Sequence, residues 1–218
     1  MLRLSLSMRM MTAGVVFVNA QARDARHSPR GNGISIAVER VVKRLLFLTL
    51  TAILWSSPAF SELRLEVDLE GRQLKALVDG EEVERFDVAI GTDDYPTPQG
   101  DFSIRKVIWN PAWTPPDSKW ARGKSAKGPG DPDNPMKRVK MFFKEPDYYI
   151  HGTSADDSLG KAESHGCIRM NQEDVTKLAQ LVMEHGGKPM PEPWYKRILH
   201  RKTTKVVYLE EPVKVAIE

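Results

Sequence analysis

Cysteine is nearly absent: Cys167 is the only one in 218 residues, so no disulfide within the chain can staple the fold. Long apolar runs are absent too. The most apolar stretch, Leu45 to Trp55, is about half the roughly twenty residues an ordinary spanning helix needs. An excess of one charge is also missing from the body of the chain. The formal charge is +3, from 32 Lys/Arg and 29 Asp/Glu. Eight of those bases and only two of the acids lie in residues 1–61, leaving 24 bases against 27 acids in the remainder. A polyanion-binding groove is therefore not the main purpose, and the expected partners are small or peptidic rather than nucleic acid. No internal repeat is visible.

What is present begins with an export pattern. Lys43-Arg44 precede the apolar run, and Ser56-Ser57-Pro58-Ala59-Phe60-Ser61 supply small residues at the −3 and −1 positions for cleavage before Glu62. Residues 41–61 thus read as a signal peptide, with an uncleaved N-terminal anchor as the alternative. No cysteine follows the apolar run to carry a lipid. The expected location is periplasm or cell wall, with no stable membrane span after cleavage. Residues 1–40 show no periodic pattern, and translation is expected to start near Val41. The mature part, 62–218, is long enough for one domain with its own core.

Within it, Leu63, Leu65, Val67 and Leu69 alternate with polar residues, as do Leu74, Ala76 and Val78; both read as half-buried strands joined by turns at Glu70-Gly71-Arg72 and Asp79-Gly80. Phe86, Val88 and Ile90 suggest a third strand of an antiparallel meander. Asp101 to Ile108 suggests a fourth, with Phe102, Ile104 and Ile108 on one face. From Asn110 to Met136 six prolines and three glycines, with Trp113 and Trp120, exclude long helix or ladder pairing; such a stretch is expected to form a lid or wall of a functional cleft. Strands are expected at 139–143 and 148–150. Asn171 is a candidate N-cap for a helix through Val175, Leu178, Ala179 and Val182 that ends at Gly186-Gly187. Late strands are expected at 205–209 and 213–217. The fold class is mainly β, a β-sandwich-like arrangement with one main helix after the cysteine and a long Pro/Gly-rich loop near the cleft.

The chemistry concentrates at His151-Gly152-Thr153 and Ser164-His165-Gly166-Cys167-Ile168-Arg169. A thiol at its reference pKa is only a few per cent thiolate at neutral pH, and an adjacent imidazole can take its proton. His151 lies sixteen residues upstream of Cys167, enough for a loop returning to a neighbouring strand. His165 would share the face of Cys167 if the segment is extended. Spacing does not rank the two histidines. The amides of His165, Gly166 and Cys167 are candidates for an oxyanion hole, and Arg169, of the same parity as Cys167, for a carboxylate fork. Zinc held by His151, His165 and Cys167 is a rival reading, and a buried inert cysteine another. A papain-like peptidase is disfavoured, because there the cysteine precedes the histidine.

The pattern from His151 to Ser164-His165-Gly166-Cys167-Ile168-Arg169-Met170-Asn171 resembles the signature of the L,D-transpeptidase catalytic domain, an exported peptidoglycan cross-linking family with a β-rich fold. Thr97-Pro98-Gln99-Gly100-Asp101-Phe102 resembles that family's Thr-Pro-x-Gly-x-Phe turn, and Asn110-Pro111-Ala112-Trp113 and Gly128 to Pro135 resemble further segments of it. The likeness covers about residues 62–183, with 184–218 as a C-terminal extension. It implies that Cys167 is the nucleophile attacking the L-centre carbonyl of a donor stem tetrapeptide, expelling the terminal D-amino acid. It implies His151 as proton acceptor and donor, held by the carbonyl of Gly152, with His165 and Gly166 beside the sulfur and Arg169, Gly152 and Ser164 toward substrate. The acyl acceptor is an amine, or water in an L,D-carboxypeptidase. No metal or organic cofactor is implied. The rival from another class is a catalytically silent wall-binding module.

Overall fold

Alternating hydrophobicity becomes ladder pairing over most of the chain in the computed structural model, which describes residues 61–218. The signal-peptide and leader readings fall outside the described residues. β1 (Leu63–Asp68), β2 (Gln73–Val78) and β3 (Glu81–Asp87) form the expected antiparallel meander. Leu63, Leu65, Val67, Leu74 and Ala76 are buried, so the period-2 signal reports one face on the core. The third strand differs from expectation at its end. The ladder stops at Asp87, and Ile90 opens β4 (Ile90–Gly91), which belongs to a separate two-stranded sheet.

β5 (Gly100–Trp109) buries Ile104, then Val107 and Trp109, so its alternation slips one residue between them. Ile108 consequently leaves the face of Ile104, contrary to the sequence reading. Opposite this slip the partner strand β10 (Lys205–Ile217) breaks register between Tyr208 and Val213. The two late strands expected from sequence are one interrupted strand. β6 (Lys137–Lys144), β7 (Tyr148–Gly152), β8 (Ala162–Ser164) and β9 (Ile168–Met170) complete the set. The large sheet runs β3-β2-β1-β10-β5-β6-β7-β9, and β4 pairs β8 in the small one. β1–β10 and β7–β9 are parallel.

Helix α1 (Gln172–His185) starts where expected: the Asn171 side chain accepts from the amides of Glu173 and Asp174 at 2.9 and 2.8 Å. Its apolar stripe, Val175, Leu178, Ala179, Val182 and Met183, is fully buried in the same core as the sheet. A second helix, α2 (Glu192–Leu199), adds to the one main helix expected. Pro193 sits in its first turn, where no backbone donor is required. Trp194 of α2 packs edge-on against Trp109, with ring centroids 5.7 Å apart. The helices brace the core behind the strands that carry the site.

Candidate active site

Register places the motif residues. Ile150 pairs Ile168, His151 pairs Arg169 and Gly152 pairs Met170 across β7 and β9. Ile150, Ile168 and Met170 are fully buried on the core face. Alternation therefore turns Tyr149, His151 and Arg169 to the opposite face, and these three, with Cys167 just before β9, line one cleft of about 1090 Å³. The sixteen-residue connection returns its ends to neighbouring strands, as the sequence anticipated.

The segment reaching Cys167 is not extended. Residues 165–167 form a bend outside any strand, with Gly166 at φ +99°. A Cβ there would lie 2.7 Å from Tyr148 Cε1 and 3.2 Å from the Pro96 carbonyl oxygen, so the turn requires glycine both for conformation and for space. Ser164 staples it: its hydroxyl donates to the Cys167 carbonyl at 2.5 Å and accepts from the Gly166 amide at 3.1 Å. Expected on the substrate side, the Ser164 hydroxyl thus has both its partners inside the turn. Gly166 spends its amide there too, which leaves the amides of His165 and Cys167 as the oxyanion candidates.

The flanking chain supports this turn from outside. Ala89 and Arg169 exchange two backbone hydrogen bonds, 3.0 and 2.9 Å, and the Thr92 amide donates to the Ser164 carbonyl at 3.1 Å. Thr97 accepts from the Gly91 amide through its buried hydroxyl at 2.8 Å, which holds Tyr95 and Pro96 against the bend. That is what the Thr-Pro-Gln-Gly segment does here.

His151 is buried, and its Nδ1 lies 2.9 Å from the Gly152 carbonyl oxygen. A carbonyl only accepts, so Nδ1 carries the proton and Nε2 is left as the basic nitrogen. Burial pushes the imidazole down to about 3, and Arg169 and Lys140 add to the fall. The Gly152 hydrogen bond opposes it. Gly152 itself has no space for a side chain, since a Cβ would meet the Lys137 carbonyl oxygen at 2.2 Å. Its part in the site is that carbonyl.

Burial pushes the Cys167 thiol up to about 11, against the Tyr149 amide and hydroxyl and the cations Arg169 and Lys140, which favour the thiolate. The thiol donates to the Asp147 carbonyl at 3.3 Å. At neutral pH the pair is thus neutral thiol and neutral imidazole.

His165 is placed differently from His151. Its ring stacks on Trp120, with centroids 4.1 Å apart and planes 17° apart, and lies 5.0 Å from the Tyr95 ring. It clamps the 110–136 stretch to the turn that carries Cys167. That stretch forms a wall of the cleft through Trp113, Pro115, Trp120 and Lys127; it holds one 3-10 turn, Lys119–Ala121, and a single bridge, Trp113 to Lys127. Among the described residues no group of three or more His, Cys, Asp or Glu side chains is arranged to hold a metal ion. With the His165 ring on Trp120, the three motif residues do not make the zinc set considered above.

Two residues of the site were missed from sequence. Tyr149 faces the sulfur, and burial raises its own phenol. Lys140 on β6 lies over the Phe142 and Tyr149 rings at 4.9 and 5.1 Å and lines the cleft. The parity of Tyr149 with His151 was a usable signal for the first; only the β6–β7 register reveals the second.

Comparison with known proteins agrees with the motif. A family model described as the L,D-transpeptidase catalytic domain matches residues 62–208. "Putative L,D-transpeptidase YqjB" of Bacillus subtilis (strain 168) is 35% identical over 121 residues, which is 53% of this chain and 64% of that protein. "Putative L,D-transpeptidase in ATP synthase subunits region ORF 5" of Fuscovulum blasticum is 37% identical over 98 residues, 44% of this chain and 51% of that one. The chain therefore matches between about half and two-thirds of those relatives' lengths. Among solved structures, the catalytic domain of the E. faecium L,D-transpeptidase aligns with a TM-score of 0.47 at 18% identity, over 73% of this chain and 99% of that one.

Proposed function

The chain belongs to the L,D-transpeptidase catalytic domain family, and from that membership we propose that it is an exported cysteine acyltransferase acting on peptidoglycan stem peptides in the periplasm or cell wall. One observation carries the reading: His151 on β7 and Cys167, at the entry to the neighbouring parallel strand β9, line one large cleft, with the histidine tautomer set by the Gly152 carbonyl. Export is supported by the basic-then-apolar segment at 41–61. Among the described residues no helix is long and apolar enough to cross a membrane.

In this mechanism the donor displaces the Cys167 thiol from the Asp147 carbonyl, and His151 Nε2 takes the proton as sulfur attacks the L-centre carbonyl of the tetrapeptide. The oxyanion is received by the amides of Cys167 and His165. Imidazolium then protonates the departing amine, the terminal D-amino acid leaves, and a thioester remains. An amine of a second stem, or water, attacks that thioester with His151 again as base. Domain boundaries follow the same reading: 41–61 removed on export, and 62–218 catalytic.

Intact-protein mass spectrometry with a synthetic stem tetrapeptide tests it. The wild type is expected to gain the mass of the tripeptide acyl group, and Cys167→Ala to gain nothing. An unmodified wild type that still binds isolated sacculi saturably would replace the enzyme by a silent wall-binding module. Product analysis then separates cross-link from hydrolysis.

A further inference from the structure

Two cations without an ion-pair partner among the described residues stand in the cleft on either side of His151. In register, Lys140 of β6 lies opposite His151 of β7, and His151 lies opposite Arg169 of β9. The three residues form one row across adjacent strands, and all three line the cleft. The neighbouring row carries Phe142 opposite Tyr149, and Lys140 leans over both rings.

Neither cation has an ion-pair partner within 4 Å among the described residues. Three neighbouring ion pairs show the alternative. Lys106 on β5, which also lies over Phe142, is paired with Glu145 at 2.9 Å. Glu163, whose charge acts on Arg169, is 3.7 Å from Lys161. Asp133 on the cleft wall is taken by Lys127 at 3.4 Å. Burial disfavours the charged form of both Lys140 and Arg169, so two half-buried cations without counter-ions are a standing cost that an incoming anion would relieve.

We propose that Lys140 and Arg169 form a two-pronged carboxylate subsite, which selects acyl donors carrying a free carboxylate within one residue of the scissile bond. The inference deepens the transpeptidase reading and rests on it. Arg169 is two residues beyond Cys167 in the chain and lines the same cleft as the sulfur, as does Lys140, so a carboxylate close to a scissile carbonyl at the sulfur comes within reach of both long side chains. Arg169 supplies a planar fork, and Lys140 a point charge from the opposite side of His151. Two carboxylates of a stem satisfy this chemistry: the terminal carboxylate of the expelled D-residue and a side-chain carboxylate on the third residue. Lys140 thus becomes a specificity-determining residue outside the His151–Cys167 motif.

The test uses the full chain with three synthetic tetrapeptides: one with both carboxylates free, one amidated at the C-terminus, and one amidated on the third residue's side chain. Thioester formation is followed by mass and by KM and kcat, in the wild type, Lys140→Gln and Lys140→Arg. Lys140→Gln is expected to raise KM for the free donor by roughly tenfold or more, the loss of one charge-assisted contact, with kcat changed much less; Lys140→Arg restores most of it. One amidated donor is expected to show the same penalty in the wild type and to be indifferent to Lys140→Gln. Which donor does so identifies the carboxylate.

The subsite is overturned if KM for the free donor does not move in Lys140→Gln, or if that variant penalises all three donors equally. Wild-type KM unchanged by both amidations overturns it without any variant. A wild type that forms no thioester with any donor sinks the transpeptidase reading itself, and the subsite with it.

Discussion

At Cys167 burial and charge pull in opposite directions, and burial wins. The desolvated sulfur stays a thiol, up to about 11, despite Arg169, Lys140 and the Tyr149 donors. His151 is held neutral for the same reason. A thiol in this state is protected from indiscriminate alkylation. Iodoacetamide is therefore expected to modify Cys167 slowly at pH 7, with a rate climbing toward pH 11; alkylation at the rate of free cysteine would refute the neutral resting pair. His151 also links folding to pH. Its folded pKa, about 3, lies below the unfolded value of about 6.5, so between those values the unfolded chain binds the extra proton. Its contribution to stability is complete above 6.5 and falls as pH drops through that window, by up to about 1.4 kcal/mol per pH unit. Urea midpoints from pH 7 to pH 4 for wild type and His151→Asn measure this, and the variant should show a shallower decline. Gly166→Ala makes a third case: the φ of +99° and the 2.7 Å approach to Tyr148 predict a loss of about 1–3 kcal/mol, together with loss of thioester formation.

At the scale of elements, the site depends on β7 and β9 keeping their parallel register while the bend between Ser164 and Cys167 is held from three sides. The support behind it is α1, which begins two residues after β9 and whose first turn is closed by Asn171. Asn171→Ala removes an acceptor for two amides, so about 1 kcal/mol is expected to be lost, read as a lower urea midpoint with an unchanged m-value. This cap was legible in the sequence because capping is local, as were the meander of β1 to β3 and the wall at 110–136. Other features were not. Ile90 reads as a continuation of β3 by periodicity, but the small sheet captures it through Ala162, a contact 72 residues away. The slip in β5 that displaces Ile108 is fixed by β10, again from a distance. Lys140 looked like an ordinary outward residue of a strand, and only pairing with β7 sets it beside His151. Cys167, His151 and Arg169 were legible as a motif; the placement of the His165 ring was not, because it rests on Trp120 arriving from a loop that has no periodicity at all.

Over the whole of residues 61–218, β10 is the piece that joins the two halves of the large sheet. β10 sits between β1 and β5 near the middle of the eight-stranded sheet, pairing parallel with the first strand and antiparallel with the strand that leads toward the site. The sequence suggested a C-terminal extension beyond residue 183; the structure puts its last strand in the core. The family match ends at residue 208, yet Val213, Val215 and Ile217 are buried beyond it, and residues 214 to 217 make the entire pairing with β1. Burying three such side chains contributes about 1.5–3 kcal/mol each, a sum comparable with the roughly 5–15 kcal/mol that separates folded from unfolded chains of this size. A stop codon in place of Glu210 therefore keeps the catalytic motif and the whole matched segment, but cuts the link between β1 and β5. That truncated chain is expected to lose its cooperative urea transition and to form no thioester, whereas removing only Glu218 should leave the transition in place. If the chain ending at residue 209 unfolds cooperatively at the wild-type midpoint, β10 is an appendage and the two halves of the sheet hold together without it.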